Sequence, residues 1–419
     1  MDMKKSFLVV GGIIIVLFFF IFISVIVVRS RATKTTSDKA TTTATTGGVT
    51  QRVATGPTQT TVKSSIWKSE DAGASFIPRS SADSKNPMQN ADVLSIAFHP
   101  QKPNYLVVGT LSSGLYRSEN EGGAWTAIPF PPQNIYSFIL DKNMPDSRMF
   151  ASGVLNGWGK VFRTDDAGSN WPAVYTEPGQ KTIITSLAQN PKNPSTMFSG
   201  TSAGTVVKSL DGGITWKNIG NVVDGKVVDI SFDANSSQVT YLLTYGKILY
   251  YSPNSGTEWQ KWEDKKKDEV DALNKQVSAL SKDKRKAEAD ALRLTVKALI
   301  EKNKSGKMPQ NIVTIVTDPK LSGVIYAGTS KGLFKSTSYG KYWTEINIIE
   351  SAKKFPIRSI AVNPFNSSEI VFVAGRAFYR STNGGDTWAV TALDSDRDAS
   401  FVAYDPFDPN NIYIGVSRI

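Results

Sequence analysis

Three carboxylates crowd into five residues at Asp394, Asp396 and Asp398, and the chain holds a single histidine, His99. Glycoside hydrolysis needs two carboxyl groups, one as acid and the other as base or nucleophile. That makes the acidic loop the candidate for catalysis if the chain is an enzyme. The lone His leaves at most one Ser–His dyad to consider. The composition closes other routes. With no Cys there is no thiolate zinc site, no disulfide framework and no cysteine nucleophile. One His cannot furnish a metal cluster, so neither a metal site nor a cofactor is expected. Three acids in five residues also suit a plain solvated loop, and that reading is preferred.

The elements that must position these groups repeat along the chain. Ser69-Glu-Asp71-Ala-Gly73-Ala-Ser-Phe76 recurs with its third position at Asn120, Asp166, Asp211, Asn254, Ser338 and Asn383, closing on Trp125, Trp171, Trp216, Trp259, Trp343 and Trp388. Successive closing aromatics are 49, 46, 45, 43, 84 and 45 residues apart, so the 84 hides an insertion. The chemistry of the turn is local. Asp or Asn can accept backbone N–H bonds of its own turn, and Gly two residues on permits positive φ. The Ser or Thr two residues before it adds a hydroxyl bond, and the Trp packs back on the sheet.

Each turn has the same neighbours: short apolar strands at Val93–Phe98, 105–110, 114–118 and 125–128, and the same order again from Ile135, Ile183, Val227, Ile312 and Ile357. Four short strands per ~45 residues is the arithmetic of a propeller blade. At the C-terminus 401–404 and 412–416 supply only a first and second strand. Near the N-terminus 66–69 and 76–77 supply only a third and fourth. Joined, they make a seventh blade and leave no open edge between first and last blades. The fold class predicted is all-β, a seven-bladed β-propeller over 65–419 with both termini in one blade.

The S-x-D-x-G-x-x-W pattern resembles the Asp-box, or BNR, repeat of β-propellers, and its copies cover 66–419 apart from the insertion. The resemblance implies that Asp71, Asn120, Asp166, Asp211, Asn254, Ser338 and Asn383 are structural turn-formers at the blade periphery. His99 fares similarly. It occupies the slot of Asn190, Asp318, Asn363 and Asp405, each followed by Pro, which is the turn between strands one and two. Sialidases carry the same repeat with an Arg-Ile-Pro motif, which is missing here; Phe355-Pro-Ile-Arg358 has the letters in the wrong order. Xyloglucanases of this type pair two propellers around a cleft, and only one is present. The chain as a whole resembles membrane-anchored proteins of the photosystem II assembly-factor-like and sortilin-like propeller type. That likeness implies a scaffold that binds protein or peptide.

Both kinds of turn lie on one face. The opposite face carries the loops between strands two and three and those between blades, and by analogy it is the ligand mouth. Its candidates are Trp158, in Gly157-Trp-Gly159, with Tyr245, Lys331 and Arg376. Between Trp262 and Met308 the composition changes: 263–307 hold 13 Lys+Arg and 9 Asp+Glu. Val270, Leu273, Val277 and Leu280 follow a 3–4–3 spacing, as do Ala289, Leu292, Val296 and Leu299. These are two amphipathic helices with coiled-coil seams. Their ends must return to adjacent blades, so a hairpin turning near 281–284 is expected, projecting from the loop face. It would dock another protein, or meet anionic headgroups through 265–267 and 282–286.

Phe7 to Val28 is 22 residues without a charge, a helix of ~33 Å, enough to cross a bilayer core. Arg29 and Arg31 stand where a signal-peptide cleavage site would be, so an uncleaved anchor is expected. A six-residue tail (1–6) precedes it. A Thr-rich tract over 29–64, with 13 Thr from Thr33 on, reads as a flexible stalk. The positive-inside count taken literally favours the opposite topology. Long domains translocate regardless of flanking charge, so the tail is placed inside and the propeller on the extracytoplasmic side of the cell membrane. The formal net charge of +11 suggests nucleic acid at first sight. Its placement argues otherwise, because residues 1–64 carry +6, the insertion +4 and the propeller +1. The expected function is a non-catalytic protein- or peptide-binding scaffold or assembly factor. The alternative is a cell-surface glycan-binding protein or glycoside hydrolase.

Overall fold

The second strand of nearly every repeat is apolar without alternation, as in Leu106–Thr110, Ile325–Thr329 and Ile370–Ala374, and each of these is buried along its whole length. Such runs belong to strands covered on both faces. The fourth strands are mostly exposed, for example Thr126–Ile128 and Lys217–Gly220. In the computed structural model each repeat is one antiparallel sheet whose outer strand faces solvent and whose middle strands are sandwiched between neighbouring sheets. The described residues are 63–418 apart from 81–86, 133, 221–222, 224 and 246–247, together with a small ladder pairing Thr45–Thr46 with Val49–Thr50.

The sheets number seven beside that ladder. Blade 1 is Val93–Phe98, Leu106–Thr110, Leu115–Ser118 and Thr126–Ile128. Blades 2 and 3 span 137–176 and 184–220, and blades 5 and 6 span 312–346 and 357–392. Blade 7 pairs Asp398–Tyr404 and Ile412–Ser417 with Ile66–Ser69 and Ile77–Pro78, so both ends of the propeller chain meet in one sheet. The first strands touch one another in cyclic order, from blade 1 through blade 7 and back to blade 1. They therefore enclose the axis of a closed ring, and the molecule is a seven-bladed β-propeller.

The core lies between blades. One cluster joins Tyr326 and Leu333 of blade 5 to Ile357, Ile370, Phe372 and Trp388 of blade 6. Another joins Val371 and Phe378 of blade 6 to Trp67, Val402 and Ile414 of blade 7. Close approach needs glycine at one point: a Cβ on Gly200 would stand 2.2 Å from a Val227 methyl of the next blade. All the clusters and the ring closure draw on residues 63–418 alone.

Blade 4 departs from the expected four strands. It has Val227–Phe232, Thr240–Thr244 and Leu249–Ser252, and beyond its turn only an isolated bridge from Tyr251 to Gln260. The chain then enters α1, Trp262–Lys282, and returns through α2, Lys286–Ser305. The two pack on each other around Val277, Ala289 and Val296, at positions the seam assigned to the interior. The expectation that this pair rises from the loop face is not met. Its root is bonded to the turn of blade 5: Trp262 Nε1 donates to Tyr339 O at 2.7 Å, and Lys341 Nζ pairs with Glu269 at 2.6 Å. Lys266 is buried there, donating to Glu263 and Gly306 O. The reason is the missing fourth strand, which in other blades carries the chain from the turn to the loop side.

Among the described residues no helix is long and apolar enough to cross a membrane. The tail 1–6, the apolar run 7–28 and most of the stalk 29–64 lie outside the described residues.

Candidate functional site

The seven turns share one bonding scheme. In the first, Gly73 N–H donates to Ser69 Oγ at 2.7 Å, Ser75 N–H to Asp71 Oδ1 at 2.9 Å, and Ser69 Oγ–H to Asp71 Oδ1 at 2.7 Å. The bond from the N–H four residues on recurs at Asn120, Asp166, Asp211, Asn254 and Asn383, at 2.8–3.0 Å. Ser338 makes the same bond through its hydroxyl, from Tyr342 N–H at 2.9 Å. These side chains are spent on their own backbone, which is a structural role. The Asn170 side-chain amide and backbone N–H, with the Thr164 hydroxyl, hold the Asp166 carboxyl down at about 2. Its ordinary value is 3.8. The bonds therefore stabilise the fold fully above pH ~4, and that contribution disappears as pH falls through ~2. Replacing Asp166 with Asn, which three other turns already use, should keep the neutral-pH urea midpoint and flatten the acid limb between pH 4 and 2. An unchanged acid limb would contradict this role.

The turns between strands one and two lie on the same face. His99 is fully buried, accepts Gln101 N–H at Nδ1 (3.1 Å), and holds Nε2 3.3 Å from Asp146. Burial pushes its imidazole below the ordinary range, against the pull of Asp146. Asn190, Asp318, Asn363 and Asp405 cap their turns by the same bond to the N–H two residues on. Asp141 and Asp233 fill this slot in blades 2 and 4 without a following Pro, which is why the sequence pattern passed over them. None of the seven Ser-or-Thr turn hydroxyls is bonded to His99; each is committed to its own turn.

On the opposite face the first strand is bulged near its upper end in six blades, with register shifts at 93/95, 184/186, 227/229, 312/314, 357/359 and 399/401. A bulge re-aims the inserted side chain. Here the inserted residues include Val228, which is exposed, and Arg358, which is 3.9 Å from Asp398.

Tyr245, Lys331 and Arg376 occupy the loops after the second strand in consecutive blades 4, 5 and 6. Tyr245 is 74% exposed, with the Lys226 ammonium 6.0 Å from its ring centre. Lys331 and Arg376 are exposed, and Arg376 donates to Ser395 O at 3.3 Å. Trp158 stands apart in blade 2. It is half-buried, paired with Leu155 across a two-residue turn whose Asn156 and Gly157 both have positive φ.

Phe355 was missed by the sequence reading. It is 45% exposed, on the loop between blades 5 and 6, and packs on Gly375 beside Arg376. A large aromatic directly before a Pro in an inter-blade loop was the available signal. The structure also separates the acidic trio. Asp396 lies 3.4 Å from Arg397 Nε, Asp398 faces Arg358, and Asp394 is half-buried at the blade 6 edge. Arg397 of this loop is buried and bonds to four groups of the ring closure rather than to an open cleft. No group of three or more metal-ligating side chains occurs among the described residues.

Comparison with known proteins adds to this geometry. No family model matches the chain. Over 144 residues the chain is 26% identical to the xyloglucanase Xgh74A of Acetivibrio thermocellus, a stretch that is 29% of this chain and 16% of that protein. The GH74 xyloglucanase of Xanthomonas campestris superposes with a TM-score of 0.57 at 16% identity, over 78% of this chain and 51% of that one. YCF48 of Cyanidioschyzon merolae superposes with a TM-score of 0.52 at 14% identity, over 78% of this chain and 95% of that one. YCF48 bound to a D1 peptide gives 0.52 at 11%, over 78% and 92%. The likeness is one of fold. The chain spans about half the length of the xyloglucanase structure, a sixth of the curated relative and nearly all of YCF48.

Proposed function

We propose that this chain is a non-catalytic, peptide- or protein-binding propeller of the Asp-box type, held at the extracytoplasmic face of a membrane by residues 7–28. The observation that carries the reading is the character of the loop face over blades 4 to 6. It presents exposed Tyr245, with Lys226 near its ring, exposed Lys331, and exposed Phe355 packed on Gly375 next to Arg376. Aromatic and arginine side chains of this kind are the common anchors of protein recognition. Support also comes from YCF48, a propeller of similar extent with a structure bound to a D1 peptide. The xyloglucanase likeness supports the alternative, a glycan-binding protein or glycoside hydrolase. Against it, two of the three loop acids face arginines.

A peptide and glycan array probed with residues 63–419 tests the two readings. Peptide hits that fall at least tenfold in the double variant Tyr245→Ala, Arg376→Ala support the scaffold reading. Glycan hits lost on changing Asp394 and Asp396 to Asn, with no peptide hits, would replace it. Protease shaving of intact cells should release the propeller; full protection would refute the extracytoplasmic placement.

A further inference from the structure

The first strands enclose the axis, and their residues can be compared slot by slot. Three residues before the strand ends, one slot holds Ser95, Ser137, Ser186, Thr314 and Ser359 in blades 1, 2, 3, 5 and 6, and Phe401 in blade 7. Blade 4 has Asp229 there. The slot looks onto the first strand of the next blade: Ser137 Oγ accepts Leu187 N–H at 3.0 Å, and Ser359 Oγ accepts Val402 N–H at 3.1 Å. A hydroxyl here is satisfied by backbone alone. A carboxylate also carries a charge that backbone does not neutralise.

Asp229 has no ion pair among the described residues, and the one hydrogen-bonding group against its carboxyl is the N–H of Ile230 beside it in the chain. It is half-buried but closely surrounded by protein, because it stands inside the ring and not on an outer surface. Burial pushes its carboxyl above the ordinary range. The cations nearest in the chain and in the slots are engaged elsewhere. Lys226 lies over the Tyr245 ring, and Arg358 faces Asp398.

One residue nearer the loop face, the adjoining slot is mainly apolar. It holds Leu94, Tyr136, Val228 and Val313 in blades 1, 2, 4 and 5, all at least partly exposed. Its two hydroxyls are turned to the next blade, Thr185 to Val227 O at 2.7 Å and Ser400 to Val93 O at 2.6 Å. The entrance to the channel is thus an apolar collar with one unanswered negative charge beneath it.

We propose that this mouth binds the ammonium or guanidinium end of a lysine or arginine side chain from a peptide partner, with Asp229 as its countercharge. The inference rests on the reading of the loop face as a peptide-binding surface and names the side chain that surface selects. Lysine and arginine carry an apolar stem and a charged head, so the collar covers the methylenes while the head reaches the carboxylate. An ionised carboxylate held away from water without a partner is costly, and a cation removes that cost. A neutral sugar leaves the carboxylate without a countercharge. A metal ion needs further ligands, and no group of three or more metal-ligating side chains occurs among the described residues. Tyr245 stands at the rim of the same blade, its N–H donating to Lys226 O at 2.8 Å. A peptide lying over blades 4 to 6 therefore passes this entrance.

The test uses the full chain in dodecyl maltoside and saturation-transfer NMR with Nα-acetyl-lysine methylamide. Transfer to the lysine side chain is expected, and at least tenfold less to the uncharged glutamine analogue, a comparison that needs no variant. Asp229→Asn should abolish the transfer, whereas Asp229→Glu should retain it. The Asn variant loses no partner, so its urea midpoint at pH 7 should not fall. A purely structural Asp229 would instead lose stability in the Asn variant and leave the transfer unchanged. Among peptide hits on the array, changing Lys or Arg to norleucine should weaken binding at least tenfold in the parent and little in Asp229→Asn. Equal transfer to both analogues, or transfer that survives Asp229→Asn, would overturn the inference, as would cellotetraose binding that is lost in that variant. Peptide hits indifferent to their Lys and Arg, with no transfer to the lysine analogue, would remove the channel site and leave the peptide-binding reading. Transfer that depends on Asp229, with an empty peptide array, would keep the cation site and remove that reading.

Discussion

Arg397→Met is expected to lower the stability of the propeller by about 3–5 kcal/mol, the range for removing one member of a buried, charge-assisted network. Arg397 is buried in the loop that opens blade 7. Its Nη1 donates to Ala91 O at 2.7 Å, and its Nη2 to Ser64 O at 2.9 Å, Gln89 O at 3.1 Å and Ser65 Oγ at 3.2 Å. One guanidinium thus ties three chain segments: the strand arriving from the stalk, the link into blade 1, and its own loop. Asp396 and Asp92 supply the countercharge at 3.4 and 3.8 Å. Methionine fills much of the volume but leaves the buried carbonyls without donors, which is the costly half of breaking a hydrogen bond. Lysine cannot reproduce the fork and should fall between the two. Urea unfolding measures the loss, and hydrogen exchange should show residues 64–69 losing protection first. A loss below about 1 kcal/mol would mean that the ring closes through its β-ladder alone.

Trp262→Ala is the second large effect, expected at about 2–4 kcal/mol for a half-buried tryptophan with a satisfied N–H. The ring stacks on Tyr251 with centroids 4.9 Å apart at 27°, and its Nε1 donates to Tyr339 O. It fills the space that a fourth strand fills in the other blades, so its removal opens the blade 4–5 seam and loosens the root of α1. Limited proteolysis should then cut within 263–305 at protease levels that leave the parent intact. If that hairpin docks a protein partner, pulldown should weaken in the same variant. Intact resistance to protease would show that Lys266 and the Lys341–Glu269 pair hold the root without Trp262. A deletion meant to spare the ring should begin after Trp262 and end before Gly306, whose carbonyl receives the buried Lys266 ammonium.

Much of this architecture was legible in the sequence because the interactions that define a blade are local. Ser69, Asp71, Gly73 and Ser75 bond to one another within six residues, so their types and spacing carry the information. The same holds for the slot residues His99, Asn190 and Asp405. The interior positions of the two helices were also readable, because burial every three or four residues leaves a periodic trace. The half-blades at the two ends announced their union by being incomplete in complementary ways.

The candidate site was less legible. Tyr245, Lys331 and Arg376 could be placed on one face from topology, but Phe355 could not be selected from the other aromatics. Only packing on Gly375 brings it beside Arg376. The acidic loop shows the limit most clearly. Sequence presents Asp394, Asp396 and Asp398 as a possible catalytic pair, whereas the structure sets two of them against Arg397 and Arg358. Arg397 itself reaches partners more than 300 residues away, and no local spacing encodes such a bond. By itself the sequence determined the repeat, its turns and the count of blades, since these rest on contacts between residues near in the chain. Tertiary structure alone decided where the hairpin roots, which acids are paired and which turn tips share a face. Those depend on the ring closing and bringing distant segments within bonding distance.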